Sequence, residues 1–318
     1  MPKPSVSFTD VLQEIKMVKF KRFYPILCLV LITFILCIGA GCTGAEKKDE
    51  ITITPAWNVS EDGLVKFTLP PATLINKTRE QNENITVEDL TLTGFSGDVH
   101  AVLVTPPKPE VIIIWAPGAN NAASSVAEYL KEYTSRNIAV CVLDIRGNGG
   151  GGLTPGYPMD IQKDLNLYLN GEWPEFYLIA GDLIRLEGYL TERFPSVPVW
   201  ISGESNGGRY AALAASADQN ITGYIGISTS GFGKMGEQYK TPVRDFLLSI
   251  DPDITVPSIN PRHVILFHAP EDPIIPYNEG LALAEAAGDN AKFIAFNGTH
   301  GVNREVDREI FPILKSES

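Results

Sequence analysis

The chain has 318 residues, 44% of them hydrophobic and 20% charged, with a formal net charge of −12. That composition is globular, and the length allows one large domain or two small ones. An acidic surface repels phosphate backbones, which argues against nucleic acid as a partner. The four cysteines and four histidines fall into no metal-ligand spacing, so no metal or other cofactor is implied.

Charge is unevenly distributed along the chain. Lys3, Lys16, Lys19, Lys21 and Arg22, against Asp10 and Glu14, give residues 1–42 a net +3 and leave −15 for the remainder. An uncharged apolar run from Ile26 to Gly41 follows this basic head. It is short of the ~20 residues a membrane-spanning helix needs and fits the apolar core of an export signal. The run ends Ile38-Gly-Ala-Gly-Cys42. Small residues before a cysteine resemble the lipobox of lipoprotein signals, with Gly39 in place of the usual Leu. That resemblance implies lipidation at Cys42. The alternative is an uncleaved membrane anchor, and Met17 offers a second, more compact start to the same head. On either reading the bulk of the protein lies outside the cell, tethered to the outer face of the membrane. Asn-x-Ser/Thr triplets beginning at Asn58, Asn76, Asn84, Asn220 and Asn297 are compatible with an exported glycoprotein.

Residues 43–60 read as a tether and 61–318 as one domain. In that domain Ile85–Thr93 alternates apolar and polar residues, and Gly94-Phe-Ser-Gly97 turns it into Val99–Val104: an antiparallel hairpin, expected at a sheet edge. Unbroken apolar runs then alternate with helical patterns. The expected strands are Val111–Trp115, Ile138–Leu143, Val197–Ser202, Ile221–Ser228, His263–His268 and Lys292–Phe296. Apolar stripes mark helices near Val126–Tyr133, Phe176–Phe194, Asn206–Ala217 and Val306–Leu314. Such alternation predicts an α/β fold: a mostly parallel sheet covered by helices on both faces. Two long segments break it, 146–174 and 229–262, the second with one expected helix over Thr241–Ile250. They are rims or lids over a site, or decoration. Cys141 reads as a buried core thiol.

The chemistry concentrates on Gly203-Glu-Ser205-Asn-Gly207-Gly208. A G-x-S-x-G run between a strand and a helix is the context of a nucleophile elbow, in which a tight turn exposes the serine at the strand tip. The helix start favours negative charge, and the Asn206 N–H points where an oxyanion would form. Serine needs a base. Of His100, His263, His268 and His300, only His300 lies in a loop after the last strand, at the edge that holds Ser205. His268 reads as structural. The orienting acid is expected after the strand ending at His268, where Asp272 is preferred over its neighbour Glu271.

These elements together resemble the α/β-hydrolase fold superfamily, in the chain order Ser205, Asp272, His300. Val142-Leu-Asp-Ile-Arg-Gly-Asn-Gly149 is similar to that family's Asp-x-Arg-Gly-x-Gly loop. Ala116-Pro-Gly-Ala-Asn-Asn121 sits where the family carries its His-Gly oxyanion loop, with Pro117 replacing the His. The resemblance spans residues 85–315 and leans toward the esterase, dienelactone-hydrolase and prolyl-peptidase side. It implies a second oxyanion donor in the Ala119 N–H and a serine hydrolase that cleaves a carboxylic ester of a small acyl substrate. A peptidase or amidase is the second reading, and a non-catalytic extracellular binding protein the third. Phe232, Met235, Tyr239, Tyr157 and Trp173 line an acyl pocket or simply pack. Oligomeric state is not legible.

Overall fold

A strand exposed on both faces carries no period-two signal, and the outermost strand of the main sheet is of that kind. In a computed structural model, which describes residues 53–316 except Glu83, β1 (Ala56–Val59) pairs antiparallel with β2 (Val65–Thr68) as a separate two-stranded sheet. The compact unit begins at Ile53, so the tether expected over 43–60 gives way to folded chain earlier than the composition suggests. The cause is aromatic: Trp57 in β1 stacks on Tyr168 at 4.7 Å and meets Tyr177 edge-on at 5.6 Å. The basic head, Met17, the apolar run and Cys42 lie outside the described residues. Among the described residues no helix is long and apolar enough to cross a membrane.

The main sheet has nine strands. β3 (Leu74–Gln81), β4 (Thr86–Leu92) and β5 (Val99–Thr105) form an antiparallel meander. The expected hairpin is therefore present as β4–β5, but β3, outside it, is the edge. Its sequence, Leu-Ile-Asn-Lys-Thr-Arg-Glu-Gln, stays exposed after the first residue, so pairing rather than burial places it. Lys and Arg on that edge also discourage pairing with another chain.

β5 pairs antiparallel with β7, and from there the sheet is parallel. β6 (Val111–Ala116), β7 (Ile138–Leu143), β8 (Val199–Glu204), β9 (Gly223–Ile227), β10 (His263–His268) and β11 (Ala291–Ala295) run in one direction, in the order β11-β10-β9-β8-β6-β7-β5-β4-β3. Every residue of β6 and β7 is buried, as strands covered on both faces must be. The order reverses between β6 and β8. Crevices form at such switch points, beyond the C-terminal strand ends. The register sets Ala116 opposite Gly203, so the loops leaving β6 and β8 emerge side by side.

The helices are α1 (Ala123–Leu130), α2 (Ile161–Leu169), α3 (Glu175–Arg193), α4 (Asn206–Ala217), α5 (Val243–Ser249), α6 (Pro252–Thr255), α7 (Tyr277–Ala287) and α8 (Arg304–Ser316). On one face Ile310 and Leu314 of α8 and Leu130 of α1 join Ile113, Trp115, Val140, Ile225 and Phe267 of the sheet in a single core. The segment 229–262 holds more helix than the one element expected over Thr241–Ile250. Beside α5 and α6 it carries 3-10 turns at Met235–Gln238 and Val256–Ile259, all too short to show an apolar period.

Candidate active site

Ser205 connects β8 to α4 by itself, and the single-residue connection forces an unusual backbone. Its φ is 55° and its ψ −122°, outside the regions a residue with a side chain prefers. The chain can turn this sharply only because its flanks are glycine. A Cβ on Gly203 would lie 2.4 Å from the Gly207 carbonyl carbon, and one on Gly207 would lie 2.1 Å from the Ala116 oxygen. The turn is pinned by its main chain: the Ser205 N–H donates to Ile227 O at 3.0 Å. Its carbonyl accepts from Gly208 N–H at 3.1 Å and from Thr229 Oγ1 at 2.9 Å.

Asn206 opens α4, so its N–H has no acceptor within the helix. Across from it, Ala119 is exposed in the turn after β6, and its N–H donates to no acceptor among the described residues. That turn is held by Asn148. The Asn148 amide Nδ2 donates to Gly118 O at 2.9 Å and Asn121 O at 3.3 Å, while Asn120 N–H donates to Asn148 O at 2.9 Å. The Asp-x-Arg-Gly-x-Gly resemblance points to this loop, but the bracing role of Asn148 has no signal in the sequence. The rest of the loop is equally tied down. Asp144 accepts the N–H groups of Leu153 and Thr154 at 2.6 and 2.7 Å, and the buried Arg146 guanidinium pairs with Asp182 and donates to Ser96 O at 2.6 Å.

His300 follows β11 and Asp272 follows β10. Both therefore stand at the sheet end where Ser205 leaves β8. His300 Nδ1 lies 3.0 Å from Asp272 Oδ1 and 2.9 Å from Oδ2. The Asp272 side chain is fully buried, and Oδ1 also accepts the N–H groups of Ile274 and Ile275 at 2.8 and 3.0 Å. Burial alone would raise its pKa; the Ile275 and Ile274 donors and His300 outweigh it, and the carboxyl ends below its usual value. Glu271, the rejected neighbour, is exposed. His268 is buried, with Nε2 donating to Ile275 O at 2.9 Å, and so shapes the loop that carries Asp272.

Glu204 went unnoticed in the sequence. Its carboxylate accepts the Val302 N–H at 3.2 Å, while Gly301 N–H donates to Ser228 Oγ at 3.0 Å. The residue before Ser205 thus fastens the loop that carries His300. Gly301 has φ +95°, and a Cβ there would sit 2.9 Å from Glu204 Oε1. Burial raises the Glu204 pKa, with the Val302 N–H and His300 opposing it.

Of the five candidate lining residues, Trp173 packs between Phe67 and Phe95, at 5.9 and 4.7 Å. Tyr157 donates to the buried Asp164, and Met235 is buried. Phe232 lies beneath the Arg209 guanidinium at 4.6 Å. Cys141 is fully buried, and burial pushes its thiol well up. Among the described residues no group of three or more His, Cys, Asp or Glu could hold a metal ion.

Fold and site topology together define an α/β-hydrolase-fold protein. Residues 107–262, just under half of the chain, match the family model described as serine aminopeptidase, S33. Among solved structures, the acetyl xylan esterase from Paenibacillus sp. R4 is similar at 16% identity and a TM-score of 0.61, over 79% of this chain and 90% of that one. Acetyl xylan esterase 1 from Thermoanaerobacterium sp. JW/SL YS485 gives 17% and 0.59, over 79% and 89%. The glucuronoyl esterase from Solibacter usitatus gives 14% and 0.57, over 83% and 89%. A search of the curated proteins found no match.

Proposed function

We propose that the protein is a serine hydrolase acting on a carboxylic ester, with Ser205 as nucleophile, His300 as base and Asp272 as the acid that orients it. The observation that carries this is the two-oxygen contact of buried Asp272 with His300 Nδ1, at the sheet end where Ser205 sits in a strained turn. The Asp272 carboxylate keeps the proton on Nδ1, which leaves Nε2 to act as base. In the first step Ser205 Oγ attacks the ester carbonyl carbon as Nε2 takes its proton. The oxyanion is received by the N–H groups of Ala119 and Asn206, each worth roughly 3–4 kcal/mol. His300 then protonates the departing alcohol. Water repeats the attack on the acyl-enzyme, and Ser205 leaves with its proton restored.

The test is turnover of a p-nitrophenyl ester and labelling by a fluorophosphonate. Wild type is expected to do both and Ser205→Ala neither, with its fold retained. Serine-independent turnover would refute the assignment. The family model's description favours a second reading, an aminopeptidase-like amidase. A panel of aminoacyl amides beside short esters separates the two. Export and a tether through Cys42 or the apolar run belong to the proposal on sequence alone. Mass spectrometry of the mature N-terminus tests them, and a peptide spanning residues 30–50 would rule out cleavage.

A further inference from the structure

One turn into α4, Arg209 carries a guanidinium that makes no ion pair among the described residues. Nε donates to Ser230 O at 3.0 Å, Nη2 to Ser230 Oγ at 2.9 Å, and Nη1 to Asn206 Oδ1 at 3.0 Å. Its Cζ lies over the Phe232 ring, 4.6 Å from the centroid. All its acceptors are uncharged. A guanidinium has five N–H groups, so two remain that no acceptor among the described residues takes. Asp251 and Glu279 act on it only at longer range. Burial disfavours its charge, and an arginine in such a place ordinarily has a carboxylate beside it.

The setting is rigid and adjacent to the chemistry. Asn206, which receives Nη1, is the residue whose N–H is assigned to the oxyanion. Ser230 and Phe232 belong to the loop leaving β9, next to β8 in the sheet. Two buried carboxylates brace that loop: Asp251 accepts the N–H groups of Phe232 and Lys234, both at 2.8 Å, and Asp253 accepts Gly233 N–H at 2.7 Å. Those aspartates are spent on main-chain donors and leave Arg209 free to face a ligand.

We infer that Arg209 is an anion-recognition group beside Ser205, and that the ester cleaved there carries a carboxylate on its acyl or its alcohol part. This rests on the Ser205 reading for its place in the reaction. The held guanidinium offers its two remaining N–H groups to one carboxylate, the geometry in which arginine recognises anions most strongly. Phe232 and the Ser230 contacts fix its plane before the ligand arrives, so little ordering is left to oppose binding.

Binding is measured by calorimetry on the Ser205→Ala protein, where no turnover intervenes. Two matched pairs serve as probes: monomethyl glutarate against dimethyl glutarate, and butyryl glycolate against its methyl ester. In at least one pair the carboxylate form is expected to bind tenfold or more tighter. Adding Arg209→Gln or Arg209→Met should erase that advantage, whereas Arg209→Lys should keep part of it. Circular dichroism checks that each variant is folded. Equal affinity within both pairs, or an advantage that survives loss of the Arg209 charge, overturns the inference. The two failures are distinguishable: carboxylate preference without serine-dependent turnover would sink the hydrolase reading alone, and neutral-ester turnover without the preference would sink the anion site alone.

Discussion

Both carboxylate oxygens of Asp272 face a single nitrogen of His300, Nδ1, at 3.0 and 2.9 Å. A ring held in this way keeps one tautomer and one orientation. Asp272→Asn would preserve the shape while presenting a donor where an acceptor is needed. We expect kcat for a p-nitrophenyl ester to fall by about ten-thousandfold, as loss of a triad acid does elsewhere, in a protein that is still folded at pH 7. A loss under tenfold would mean that Asp272 does not orient the base.

The same carboxylate makes a pH prediction. Its pKa in the folded protein lies below the usual value, so it contributes stability at neutral pH. That contribution is lost as pH falls from the unfolded value of about 4 through the lower folded value. Denaturant titrations of wild type and Asp272→Asn should therefore converge in acid, the variant losing less stability below about pH 4. Parallel curves would contradict the shift.

Glu175, at the start of α3, has the opposite sign. Burial raises its pKa to about 7, against the opposing charge of Arg146 and the Tyr157 N–H. A carboxyl raised in the folded state supplies stability below its unfolded pKa and loses it as pH rises through the folded one. Wild type should lose stability between about pH 4.5 and 7, and Glu175→Gln should remove roughly 2–3 kcal/mol of that dependence. A pH profile of Tm for the two proteins decides it.

Asn148 braces the turn that presents the Ala119 N–H. Asn148→Ala should lower kcat by about tenfold, the equivalent of one weakened hydrogen bond to the oxyanion, with KM little affected. An effect confined to KM would place Ala119 outside the oxyanion site.

Gly207 has no room for a methyl group, since its Cβ would lie 2.1 Å from Ala116 O. Gly207→Ala must push β6 and α4 apart, costing about 1–3 kcal/mol or more, and should abolish ester turnover even where the protein still folds. Full activity in that variant would contradict the tight turn.

Much of this was legible in the chain. β7, β10 and α4 have the bounds their apolar runs and small-residue stretch announce; in β7 burial on both faces leaves no polar residue to blur the ends. The glycines flanking Ser205 and the placement of His300 after the last strand follow from local geometry and strand order. The polar edge strand β3 and, within 229–262, α6 and the two 3-10 turns left no such trace, since none repeats an apolar period; only α5 was expected there, over Thr241–Ile250.

The sequence by itself determined most of the parallel strands and long helices, their order, and a serine, a histidine and an acid loop, Glu271-Asp272, at one end of the sheet. Those are properties of consecutive residues: periodicity, turn chemistry, and the rule that parallel strands share an end. Tertiary structure alone decided that Asp272 rather than Glu271 turns inward, that Glu204 fastens the His300 loop, that Asn148 holds the turn at Ala119, and that Arg209 meets no carboxylate among the described residues. Each joins segments 28 or more residues apart, or depends on a neighbour's absence. No local pattern encodes such contacts, because only packing fixes which side chains share a space.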